Sequence, residues 1–151
     1  MVERDPNWLA GQNKVDFFVK EQLKAHGLDI FVKYIEYLPH DEVIKEQRRS
    51  KVLLLLANDT KNAKGILTGK LFEYMATGVP ILAVGPPDGD MAMVLAETAA
   101  GLISDFSDDA KLKEHIEKLF AGEIIASNVD KVNQYSRHEL TKRLCTFLDK
   151  L

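Results

Sequence analysis

The residues best suited to chemistry lie between Lys64 and Ile81, where the chain reads Lys-Gly-Ile-Leu-Thr-Gly-Lys-Leu-Phe-Glu-Tyr-Met-Ala-Thr-Gly-Val-Pro-Ile. Glycines at a turn into a helix expose backbone N–H groups, and the helix start adds orphan donors and a partial positive charge. Gly65, Ile66, Leu67, Thr68, Gly69 and Lys70 are therefore candidates to hold phosphate. The segment is not a P-loop. That motif has four residues between its glycines and Ser or Thr after its lysine, whereas three separate Gly65 from Gly69 and Leu71 follows Lys70. Glu73 lies three residues beyond Lys70 on the same helix face, where it can serve as an exposed ion-pair partner or as a functional carboxylate.

Other chemistry is sparse. Asp59 follows an apolar run, the place where a phosphorelay receiver carries its phospho-acceptor, but a receiver's early acidic pair and later Lys-Pro are absent. His40 follows Pro39 and reads more readily as a helix-start residue than as a catalyst. No His/Cys cluster has metal-ligand spacing, and the lone Cys145 excludes an internal disulfide. No metal site, no cofactor and no catalytic nucleophile or general base is assigned.

The elements that must position these residues alternate. Residues 1–12 read as a tail or linker remnant, with Trp8 in it, and 13–151 as one Rossmann-like α/β domain. Lys14–His26 carries Val15, Phe17, Phe18, Val19 and Leu23 at helical spacing and stops at Gly27. Ile30–Leu38 is alternating and β-branched or aromatic, hence a strand, ended by Pro39. A helix over Asp41–Arg49 precedes Lys51–Ala57, whose apolar run predicts a central strand of a parallel sheet. A helix over Lys64–Thr77 with Gly78 as its stop, a strand over Val79–Val84, a helix over Met91–Ala99 and a strand over Gly101–Ser104 follow. Helices are expected over Asp109–Phe120, Ala121–Tyr135 and Ser136–Leu151, with Asp105–Lys118 as a solvated face and Cys145 packed. The pattern is α/β: a mostly parallel sheet of about four strands flanked by helices, with a helical C-terminal tail. Ligands of such sheets bind beyond the carboxyl ends of the strands, so Pro39–His40, Asn58–Thr68 and Gly85–Asp90 are expected on one rim.

Composition sets the outer bounds. The 151 residues are 46% hydrophobic and 28% charged with a net charge of −3, an ordinary globular balance without a pull toward nucleic acid. The apolar run Val52–Ala57 is six residues long, far below the ~18 of a membrane span. Met1–Pro6 has no apolar stretch, and the expected compartment is the cytoplasm.

Gly69–Leu82 resembles the nucleotide-sugar motif of GT-B-fold glycosyltransferases of the retaining, glycogen-synthase-like group 1 kind. There a glycine-containing loop enters a helix carrying Glu, and E-[AY]-hydrophobic-A-x-G-x-P-[IV] closes into the next strand. Tyr37–Val43 resembles that family's strand end and following helix, and Gly101–Ser104 its later strand. The resemblance spans about residues 14–120 and implies that Glu73 grips the ribose hydroxyls of a nucleotide diphosphate sugar, two carboxylate oxygens suiting a vicinal diol. It further implies that the amides of Gly65–Gly69 meet the diphosphate and the sugar, and that Leu38, Pro39 and His40 lie near the base. Two departures stand out. Gly65 occupies the position, eight before Glu73, where the family often has an acidic sugar contact. The family's N-terminal acceptor domain and the first strand–helix–strand of the donor domain have no counterpart here.

The expectation is thus the sugar-donor-binding portion of a glycosyltransferase, inactive alone and serving polysaccharide or glycoconjugate assembly. Its incomplete sheet would either pair Ile30–Leu38 directly with Lys51–Ala57 or recruit a second copy as a homodimer. The alternative reading is a non-catalytic flavodoxin-like, receiver or interaction domain that kept the fold.

Overall fold

A computed structural model describes residues 17–35, 37–123 and 127–150, and the expectations for the 1–12 tail and Trp8 lie outside them. The chain divides into two compact units between Leu38 and Pro39.

In the first unit, helix α1 covers 17–25. It closes as the sequence predicts: the Leu28 N–H reaches Leu23 O at 2.8 Å and the Gly27 N–H reaches Lys24 O at 3.0 Å, the paired bonds of a Schellman stop. The strand expected over Ile30–Leu38 does not form. Asp29–Phe31 makes a 3-10 turn, and the described residues that follow are irregular. Strand propensity is expressed only against a neighbouring strand that accepts its hydrogen bonds, and none pairs here among the described residues. Ile30 and Phe31 are 79% and 78% exposed as a result.

The second unit holds α2 (His40–Arg49), β1 (Leu53–Leu56), α3 (Gly69–Thr77), β2 (Ile81–Val84), α4 (Asp90–Thr98), β3 (Gly101–Ser104), α5 (Asp109–Ala121), α6 (Val129–Asn133) and α7 (Arg137–Leu148). Among the described residues the sheet has three parallel strands in the order β1-β2-β3, one fewer than the sequence suggests. Register sets Leu53 opposite Ile81 and Ile81 opposite Gly101. Alternate side chains therefore face opposite ways. Leu55, Ile81 and Ala83 pack with Leu71 and Met75 of α3 and Met91, Val94 and Leu95 of α4, forming the core.

The opposite face is covered by α5, whose His115 reaches Ser104, and Leu119 is buried on the same helix. That cover stops short of β1, where Leu54 and Leu56 stay 55% and 62% exposed. The central place expected for Lys51–Ala57 is thus corrected. Among the described residues the run is an edge strand with one bare face, because no further strand pairs with it.

The helix predicted over Lys64–Thr77 is shorter than expected: Ala63–Gly65 is a separate 3-10 turn and α3 starts at Gly69. Its end at Gly78 (φ 75°) matches the predicted stop. The long helix expected over Ala121–Tyr135 is reduced, among the described residues, to Val129–Asn133. Gly122 closes α5 in the left-handed region and the Asn128 side chain caps α6, so α6 begins only at Val129. Ser136 caps α7 through the Glu139 N–H, matching the predicted boundary. Cys145, expected to pack, is exposed on α7, which buries none of its residues.

Candidate functional site

β1, β2 and β3 end together, and the loops that leave them form one rim. The Ala57 N–H bonds Val84 O and the Gly85 N–H bonds Ser104 O, each at 2.9 Å, which carries the ladder one residue beyond the strands. Above it two of the three expected loops meet. The Lys64 ammonium donates to Asp88 Oδ2 at 2.5 Å, linking the 3-10 turn after β1 to the loop after β2. Gly89 lies so close that a Cβ there would come within 2.8 Å of Lys64 O. Only glycine permits that approach.

This rim is open and charged. A cleft of about 600 Å³ is lined by Lys61, Lys64, Pro87, Asp88, Asp105 and Phe106, among others. The hydrogen bond from Lys64 holds the Asp88 carboxyl below its usual range. The Ser107 N–H and hydroxyl do the same for Asp105. Both stay ionised near neutral pH.

α3 begins without a side-chain cap: Thr68 supplies its backbone carbonyl to the Leu71 N–H at 3.1 Å but makes no cap bond with its hydroxyl. The N–H groups of Gly69 and Lys70, at the start of the helix, make no hydrogen bond among the described residues, which leaves them for an anion. Thr68 Oγ1 is buried and lacks a hydrogen-bond partner among the described residues. It lines, with Ile66, Asn58 and Leu55, a cavity of about 130 Å³ at the end of β1. Gly65 closes the 3-10 turn, while Leu67, Gly69 and Lys70 are exposed.

Glu73 sits one turn further along α3, about 6 Å down the axis from Gly69. The ion pair with Lys70 that its spacing allows is not formed among the described residues. Gln47 Nε2 of α2 donates to Glu73 Oε1 at 2.6 Å instead, in a half-buried setting. Beside it, burial and then the charge of Glu73 raise the Tyr74 hydroxyl above its ordinary pKa. Gln47 is a residue the sequence reading missed. It lies 26 positions from Glu73 in an ordinary polar stretch of helix, and only the packing of α2 on α3 brings the two together.

The remaining candidates are more scattered. Pro39 starts α2, its carbonyl accepting from the Glu42 and Val43 N–H groups at 3.0 Å. His40 follows, exposed, about 10 Å along that helix from Gln47. Leu38 is half-buried and belongs to the first unit. Ile66 and Thr68 thus share a cavity that Glu73 does not line. Among the described residues no group of His, Cys, Asp and Glu is arranged to hold a metal ion. No described helix is long and apolar enough to cross a membrane.

No curated protein and no solved structure matches the chain. The family described as Glycosyl transferases group 1 matches residues 6–139. That match covers most of the chain, including α2, all three strands and the Gly65–Glu73 segment, and the parallel α/β architecture agrees with it. The chain belongs to the group 1 glycosyltransferase family.

Proposed function

We propose that this chain is the sugar-donor-binding part of a retaining, GT-B-fold, glycogen-synthase-like enzyme that transfers a sugar from a nucleotide diphosphate sugar. The observation that carries the reading is the Glu73 carboxylate. It is half-buried, has one oxygen engaged by Gln47, and follows an uncapped helix start by one turn. A carboxylate so placed suits the vicinal hydroxyls of a ribose, and free N–H groups at the start of α3 suit the diphosphate. The residues proposed for the site are Glu73, Gly65 to Lys70, and Leu38, Pro39 and His40 toward the base.

The chemistry follows from positioning. Sugar transfer breaks the bond between the anomeric carbon and the diphosphate, so negative charge grows on the departing oxygen. The positive end of α3 is oriented before the reaction, and stabilising that charge requires no reactive side chain. Gly65 offers no side chain to the transferred sugar, so contacts to it come from backbone amides or from the acceptor-binding domain proposed as partner. On this reading the domain runs over 13–151 and transfers no sugar alone. It works in the cytoplasm on polysaccharide or glycoconjugate assembly. We also infer that copies associate through the open edge of β1.

Thermal unfolding with UDP, GDP, ADP, dTDP and CMP tests the site. A nucleotide at about 100 times its dissociation constant adds about 2.7 kcal/mol, a rise of a few degrees at this size. One of the diphosphates is expected to produce that rise, and Glu73→Ala to remove it. A shift that survives Glu73→Ala would place the nucleotide elsewhere.

A further inference from the structure

We propose that Gln47 is the positioning residue that sets the Glu73 carboxylate for a ribose diol, an inference that rests on the sugar-donor reading above. Gln47 stands near the end of α2, and its Nε2 donates to Glu73 Oε1 at 2.6 Å. Only one orientation of the amide works. Turned over, the amide oxygen would face a carboxylate oxygen with no proton between them.

That orientation has a consequence. The amide oxygen of Gln47 is buried and accepts no hydrogen bond among the described residues. Buried acceptors without a donor are destabilising and uncommon. Were the side chain needed only to hold α2 against α3, an apolar group of similar size would do so without an orphaned oxygen. The amide therefore points to a task at the carboxylate. By engaging Oε1 it fixes the rotation of the carboxyl plane and leaves Oε2, which makes no hydrogen bond among the described residues, for an incoming hydroxyl. A neutral donor does this while the carboxylate keeps its full charge, whereas a lysine there would compete with the ribose for it.

Ribose discrimination in the full 151-residue chain tests the assignment. Binding of UDP, GDP and ADP is compared with that of their 2′-deoxy counterparts. The wild-type chain is expected to prefer the ribose form of the nucleotide it binds by about tenfold or more. Gln47→Leu is expected to bring that preference to within about threefold of unity, with the unfolding midpoint unchanged or higher.

Gln47→Glu supplies a second arm. Near neutral pH the added carboxylate repels Glu73 and the preference is lost. As pH falls, the pair takes up a shared proton, the protonated group donates in place of the amide, and the preference returns. A Gln47→Leu chain with wild-type ribose preference overturns the proposal and leaves the nucleotide site standing, as does a Gln47→Glu chain that keeps its preference at neutral pH. Failure of both variants to fold assigns the bond to structure alone and overturns the proposal as well. A wild-type chain that binds dTDP alone overturns the proposal, since its deoxyribose has no vicinal diol, and leaves the nucleotide site standing; one that binds no nucleoside diphosphate removes the sugar-donor reading, and this inference with it.

Discussion

Two polar pairs, one half-buried and one buried, illustrate how single residues divide between site and scaffold. Glu73 and Gln47 leave an acceptor orphaned, whereas Ser104 and His115 satisfy each other: Ser104 Oγ lies 2.9 Å from His115 Nδ1, and both residues are buried. The pKa of His115 is lowered from its ordinary value near 6.5, by burial first and then by Lys111. The unfolded chain consequently binds more protons than the folded one between the two values, and stability rises with pH across that window. The contribution is complete above about pH 6.5 and is lost as pH falls through the folded value. Urea midpoints measured from pH 5 to 8 are expected to decline on the acid side, and His115→Gln to flatten that part of the curve. An unchanged curve would show that His115 titrates alike in both states.

Among the elements, the β2–β3 pair has the narrowest tolerance. A Cβ at Gly101 would lie 2.1 Å from Ile81 O, a backbone atom inside the ladder that cannot move aside. Gly101→Ala is expected to separate the strands locally and destabilise the fold by about 3 kcal/mol, seen as a lower midpoint in chemical denaturation. The nucleotide shift should persist in whatever fraction remains folded, since the Gly65–Glu73 segment follows β1 rather than β3. α5 behaves differently. Its outer face carries Glu114 between Lys111 and Lys118, whose hydrogen bonds hold the carboxyl at about 2. The inner face buries His115 and Leu119. The solvated face expected of Asp105–Lys118 is thus present, with a buried stripe on its reverse.

For the molecule as a whole, the bare side of β1 is an apolar surface with no cover among the described residues. Leu54 and Leu56 are exposed on one face, and no strand pairs with the outer edge of β1 among the described residues. Open edges with apolar side chains are templates for association. Sedimentation velocity is expected to show concentration-dependent self-association of the wild-type chain. The double variant Leu54→Lys, Leu56→Lys should reduce it, with a stability change of at most about 0.5 kcal/mol. A wild-type chain that stays monomeric at every concentration would sink the association proposed above.

Much of this protein is legible in its sequence. The alternation of Leu53–Leu56, Ile81–Val84 and Gly101–Ser104 with helical segments specifies a parallel α/β sheet, because strand and helix periods are local properties of the chain. Gly27 and Gly78 mark helix ends for the same local reason. The Gly69–Leu82 resemblance led to the family, and with it to Glu73. What the sequence could not supply was partnership. Ile30–Leu38 has the composition of a strand, yet its described residues form none because propensity needs a neighbour, and among the described residues Leu53–Leu56 is an edge for want of one. The Gln47–Glu73 bond, the Lys64–Asp88 link and the buried Ser104–His115 pair join residues on different elements. No periodicity encodes such contacts, since they arise only when helices and loops pack on a finished sheet.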